Sequence, residues 1–236
     1  MSTFIDLLRL NIQDFKQQYG PQLSSDTRQA IDAMLRCKTQ QQKRAQWQCV
    51  HCQHRESQPL SCGHRHCPQC QYQTTSDWLL RQKQKLLPVH YFMVTFTLPF
   101  ELRALARSQP KALYQSMFSV SASILKDFAK RHNMGQLGFT VVLHTHSRRR
   151  DLHPHVHIIV ASGGYDPEKN VWRKGTKKYL FNAFALADVW RARMLDVINH
   201  HPDLSLPASF PNKWVVDCRK VGYGLPALQY LSRYLY

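Results

Sequence analysis

Acidic residues are scarce in this chain of 236 residues: 15 Asp and Glu stand against 32 Lys and Arg, a formal charge of +17 with histidines neutral. That shortage argues against a charge-balanced surface and points to a polyanionic partner, because neutralising phosphates releases counterions and drives binding. Long apolar runs are also missing. None approaches the roughly 20 residues needed to span a bilayer. The first 20 residues are polar and amphipathic, without a compact apolar stretch before a small-residue cleavage site. Neither a membrane span nor secretion is expected, and the chain reads as cytoplasmic and soluble. No internal repeat or low-complexity tract is visible, and the hydrophobic fraction of 43% is ordinary, so a packed core is expected rather than disorder.

What is present divides the chain. Ile5, Leu7, Leu8 and Ile12 recur at helical spacing before Gly20-Pro21. Ser25-Asp26 can cap a second helix with Ala30, Ile31, Met34 and Leu35 on one face. Residues 47–73 are rich in Cys, His and Gln and poor in aliphatics, so this segment needs a metal staple. A helix is predicted over 74–87, and a buried aromatic and β-branched strand over 90–98. A long amphipathic helix over 111–131 and strands over 138–146 and 155–161 follow. A short hairpin around Trp172, a helix over 181–199, a strand over 214–218 and a helix from 225 to the end complete the pattern. The two central strands are too close in sequence for a parallel crossover and should be antiparallel. The class is α+β, with 1–87 as helices and a zinc-ribbon domain and 88–236 as a second domain of helices on a mainly antiparallel sheet.

Three constellations carry chemistry. Cys49-x-x-Cys52 and Cys67-x-x-Cys70 lie 14 residues apart in a chain with no secretion signal, which favours a tetrahedral zinc over disulfides. Cys62, His64 and His66 lie inside the gap and leave another ligand set open, whereas Cys37 and Cys218 read as ordinary small residues, buried or half-buried. Next, His155 and His157 share one face of a strand, about 6 to 7 Å apart, with Val156, Ile158 and Val160 turned to the core. A hairpin could set His144 or His146 beside them. His144 is the preferred third ligand, Asp151 is badly placed in the turn, and three imidazoles with open positions would make a catalytic metal site. The turn itself carries Arg148, Arg149 and Arg150, a candidate DNA contact. Finally, Tyr230 and Tyr234 stand at i and i+4, one helical face, with Tyr236 just beyond. A basic chain, a His-x-His strand and paired tyrosines fit one chemistry: a tyrosine oxygen attacks a DNA phosphate beside a divalent ion, leaving a 5′-phosphotyrosine and a 3′-hydroxyl.

The stretches Ser61-Cys62, Arg65-His66-Cys67-Pro68-x-Cys70, Val94-Thr95-Phe96-Thr97-Leu98-Pro99, Leu143-His144-Thr145, His153-Pro154-His155-Val156-His157, Gly163-Gly164 and Tyr230-Leu231-Ser232-Arg233-Tyr234 run in order from about residue 25 to the end. In this they resemble the zinc-binding, two-tyrosine HUH transposases of rolling-circle elements, the insertion sequence 91 family. The resemblance implies an RRM-like HUH nuclease domain behind an N-terminal zinc-binding domain. It implies His155 and His157 as ligands of Mg²⁺ or Mn²⁺, and Tyr230 and Tyr234 as nucleophiles. Cys49, Cys52, Cys67 and Cys70 match the family's zinc pairs, and His144 falls in its Leu-His-Thr segment. His146 stands where an aromatic is expected. The implied partners are single-stranded DNA at element ends and target DNA, in a bacterial, nucleoid-associated setting. Family members continue past the tyrosine helix with a basic segment, whereas this sequence stops two residues after Tyr234, so a shortened chain is expected. Two other readings compete: a His-x-His metallohydrolase, which leaves the charge and the tyrosines unexplained, and a zinc-ribbon DNA-binding protein without nuclease activity.

Overall fold

A computed structural model describes residues 3–147, 149–176 and 178–233. The chain divides into two compact units between Leu80 and Arg81. The first holds helices α1 (Phe4–Tyr19) and α2 (Ser25–Arg36), a hairpin of β1 (Arg44–Gln48) and β2 (Arg55–Pro59), and most of α3 (Pro68–Gln84). Thr3 and Asp6 close a capping box on α1, and Ser24 caps α2, so both helices satisfy exposed amides at their starts. Their apolar faces meet in a small core of Ile5, Ala30, Ile31 and Met34, joined by Cys37, Cys67 and Cys70. Three of those seven core residues are cysteines, as expected of a unit too short of aliphatics to cohere alone. The hairpin segment was not expected to form strands. It pairs Arg44 with Pro59 through Gln48 with Arg55, and its faces are almost wholly exposed.

The second unit is built on strands β3 (Tyr91–Thr97), β4 (Gln136–His146), β5 (Leu152–Asp166), β6 (Val171–Lys174) and β7 (Val216–Lys220). The order is β4-β5-β3-β7, with β6 also paired to β5. Every pairing is antiparallel, as the short connections require. Helices α4 (Arg103–Ser108), α5 (Pro110–Arg131), α6 (Ala183–His200) and α7 (Leu225–Ser232) surround the sheet. Alternation fixes what each face carries. Phe92, Val94 and Phe96 of β3 and Val156, Ile158 and Val160 of β5 enter one core with Leu113, Met117 and Ile124 of α5 and Trp190, Met194 and Ile198 of α6. The intervening residues Thr95, Thr97, His155 and His157 therefore lie on the opposite face, where the site forms.

β5 runs five residues beyond its expected end at 161, through Gly163-Gly164 to Asp166. The glycines do not stop the strand; they let β6 approach. A Cβ on Gly163, at φ +120°, would lie 2.5 Å from the Arg173 carbonyl oxygen. Among the described residues no helix is long and apolar enough to cross a membrane.

Candidate metal and nucleophile sites

Sheet register assembles the histidines. On one side of β5, β3 sets Thr97 against His155 and Thr95 against His157, while on the other side β4 sets His144 against His155 and Val142 against His157. His144 thus faces one histidine and lies diagonal to the other, within side-chain reach of both. The three rings close into a triangle, with centroids 4.5 Å (His144–His157), 4.8 Å (His155–His157) and 5.1 Å (His144–His155) apart. One nitrogen from each lies within 4.8 Å of the others. His146 does not join. The register shifts after His144 and leaves His146 exposed at the strand end, against Leu152.

Burial keeps this trio neutral. It pushes the His144 pKa down to about 4, with a smaller push from His155. It pushes His157 to about 3, assisted by His144, His155 and Arg219, and lowers His155 against the opposing hydrogen bond to His153. Neutral imidazole is the form that binds a metal. Two outer contacts orient the rings. His155 Nδ1 lies 2.6 Å from the His153 carbonyl oxygen and His157 Nδ1 lies 2.8 Å from Thr95 Oγ1. In the tautomers that donate from Nδ1, each Nε2 presents its lone pair to the triangle. Three neutral nitrogens, with no fourth His, Cys, Asp or Glu ligand among the described residues, suit a divalent cation that keeps open positions.

Tyr230 completes the arrangement. Gly224, at φ +86°, is the N-cap of α7, and a Cβ there would meet Leu86 and the Tyr91 ring at 3.0 Å. Pro226 in the first turn then starts a helix whose Ala227, Leu228 and Leu231 are buried. On this helix the Tyr230 ring stands edge-on to His157, 6.4 Å between centroids. Tyr234 and Tyr236, the other tyrosines singled out from sequence, lie outside the described residues. So does Arg148, while Arg149 and Arg150 are exposed in the β4–β5 turn.

The cysteines regroup relative to expectation. Cys67 and Cys70 are gathered with Cys37 and Cys62, not with Cys49 and Cys52, and the four sulfurs lie within 4.8 Å of one another. Cys70 Sγ is 3.5 Å from both Cys37 Sγ and Cys62 Sγ. The reason is the path of the backbone. β1 and β2 carry Cys49 and Cys52 out to the exposed hairpin tip, whereas the end of α2 and the start of α3 bring Cys37, Cys67 and Cys70 into the core. Burial disfavours the Cys70 thiolate, but hydrogen bonds from Cys37, the Gly63 backbone, Cys62 and Cys67 outweigh it and bring its pKa down to about 7. Burial pushes Cys37 and Cys62 up, so a cation is needed to hold all four as thiolates. Cys37 was passed over as an ordinary small residue. Its position where α2 ends, beside a segment poor in aliphatics, was the available signal.

A unit with a cysteine quartet, a sheet unit with a histidine triangle and an adjacent tyrosine fit a DNA-processing class, and the comparisons specify the family. Residues 7–98 match the family described as "Transposase zinc-binding domain", of the insertion sequence 91 type, and residues 138–236 match the family described as "Putative transposase". The chain belongs to the insertion sequence 91 family of transposases. It is 33% identical over 169 residues to "Putative transposase y4qJ" of Sinorhizobium fredii, covering 71% of this chain and 42% of that one. It is 30% identical over 195 residues to the "Transposase for insertion sequence element IS801" of Pseudomonas savastanoi pv. phaseolicola, covering 74% of this chain and 46% of that one. The chain thus spans less than half the length of these curated relatives. No solved structure matches it significantly. The cysteine quartet and the first family match together support a structural zinc in the N-terminal unit.

Proposed function

We propose that this chain nicks and rejoins single-stranded DNA at insertion-sequence ends by rolling-circle transposition, with Tyr230 and Tyr234 as nucleophiles and His144, His155 and His157 as ligands of a divalent metal. The observation that carries this reading is the Tyr230 ring standing against the histidine triangle. A divalent cation such as Mg²⁺ or Mn²⁺ held by the three imidazoles would supply Lewis-acid polarisation of a phosphoryl oxygen. The tyrosine oxygen attacks phosphorus and gives up its proton. The bond from phosphorus to the 3′ oxygen breaks, and that oxygen takes up a proton. The phosphodiester is conserved as a 5′-phosphotyrosine, so a 3′-hydroxyl on the donor or the target strand can reverse the step and reseal DNA. Thr95 and the His153 carbonyl keep the rings aimed during both steps. The net charge of +17 supplies phosphate affinity independent of sequence, with Arg148, Arg149 and Arg150 as candidate DNA contacts.

The test is incubation with labelled single-stranded oligonucleotide carrying element-end sequence and Mg²⁺ or Mn²⁺, followed by denaturing electrophoresis. A covalent adduct is expected from the wild type, is lost with EDTA, and is lost when Tyr230→Phe and Tyr234→Phe are combined. Binding without any adduct contradicts the nuclease reading, and an adduct that survives the double change contradicts the choice of nucleophiles.

A further inference from the structure

The sheet unit holds a cleft of about 440 Å³, lined by Phe100, Glu101, Arg103, Arg107, Arg150 and Asp151. Phe100 is 71% exposed although it is a large apolar side chain, which the core does not explain. The Arg103 guanidinium sits 4.8 Å from the centre of its ring, holding the ring at the edge of the cleft. Arg107 follows one turn later on α4, and Arg150 reaches in from the β4–β5 turn. Three guanidinium groups thus flank one exposed ring, with Glu101 and Asp151 as the acidic members. Asp151 is engaged by the turn itself, where its backbone N–H donates to Ser147 Oγ at 3.3 Å and its carboxylate accepts from the same hydroxyl at 3.4 Å.

The cleft is also wired to the metal ligands. Arg103 donates to His153 Nδ1 at 2.8 Å, and the His153 carbonyl oxygen lies 2.6 Å from Nδ1 of His155. Arg103, at the wall of the cleft, therefore sits two contacts from His155 of the triangle.

We propose that this cleft seats the single-stranded DNA flanking the cleaved phosphate, one base stacking on Phe100 and phosphates lying against Arg107 and Arg150. Exposed aromatic faces interleaved with arginines are how proteins hold unpaired nucleotides without reading sequence, since every base has a π-face and every linkage a charge. A duplex does not satisfy the cleft, because its bases are already stacked. The proposal rests on the DNA-nicking reading for its place in the reaction, but it is tested without cleavage.

The experiment is fluorescence anisotropy of the full zinc-loaded chain with a labelled oligothymidylate of 20 nucleotides, without added Mg²⁺ or Mn²⁺, across a salt series. Phe100→Ala is expected to weaken binding by about 5- to 150-fold, the range of one lost base stack. Phe100→Trp should keep wild-type affinity and Phe100→Leu should not, which separates stacking from folding. Arg107→Ala should reduce the slope of log affinity against log salt by about 0.7, one phosphate contact on a single strand. A blunt duplex of the same length should be indifferent to the Phe100 changes. Unchanged affinity in Phe100→Ala, full affinity in Phe100→Leu, or an equal loss on duplex overturns the cleft. If instead the cleft variants lose binding while the wild type forms no covalent adduct, the cleft stands and the nuclease reading fails.

Discussion

Among the described residues two clusters of side chains could hold a metal ion, and they differ in kind. In the N-terminal unit four sulfurs converge inside a core that has little else to hold it. In the sheet unit three imidazoles converge on a face whose reverse side already packs against a full hydrophobic core. Four thiolates close a coordination sphere, whereas three histidines leave positions for water or substrate. The first cluster thus fits a structural zinc site, and the second is the centre of the proposed reaction. Each can be disturbed separately.

The largest effect is expected at the closed site. Changing Cys67→Ser or Cys70→Ser should cost the zinc and with it the N-terminal unit. Apparent zinc-binding free energies of about 10–16 kcal/mol in zinc-finger peptides match or exceed the ~5–15 kcal/mol that holds a whole domain. Zinc content and limited proteolysis would show metal loss and cleavage before residue 80, with the sheet unit protected. A variant that keeps its zinc and its protection would remove the distinction.

A smaller effect belongs to the open site and depends on pH. His144 and His157 titrate near 4 and 3 in the folded protein, held down mainly by burial, against 6.5 for the ordinary group. Between those values the unfolded chain binds protons that the folded one refuses, so stability rises with pH across this window. In EDTA the sheet unit should be at full stability above about pH 6.5 and lose it as the pH falls toward 4. Urea midpoints at pH 7.5 and pH 5 would show it, the lower midpoint at pH 5. Equal midpoints would mean that the rings are not buried in neutral form.

The smallest effect should come from the hairpin tip. Cys49→Ser combined with Cys52→Ser removes two exposed side chains outside the quartet, and stability should change by no more than about 0.5 kcal/mol, as for other surface changes. Zinc bound to the quartet should remain. Loss of the N-terminal fold, as with Cys67→Ser, would restore the pairing that spacing alone suggested.

How much was legible follows the same divide. A strand has a period of two, so His155 and His157 could be placed on one face, and a short antiparallel connection made His144 their neighbour. Those inferences need only local geometry. The zinc ligands needed the path of the backbone over some 30 residues. Two Cys-x-x-Cys pairs look alike in sequence, yet one sits on an exposed hairpin and the other at the start of α3. Cys37 lies too far from Cys67 in sequence for spacing to join them, and only the packing of α2 against α3's first turn does so. The Phe100 cleft was invisible for a related reason, since it combines a turn after β3, helix α4 and the β4–β5 turn. Gly163-Gly164 misled in the other direction: glycines that usually end strands here admit a neighbouring one.

The most direct measurement of the central claim is peptide mapping of the trapped protein–DNA adduct by mass spectrometry, formed with Mn²⁺ and element-end single strand. The account predicts a nucleotide phosphate on Tyr230 or Tyr234 in the wild type and no adduct from His157→Ala. An adduct on any other residue, or one of wild-type yield from His157→Ala, would contradict it.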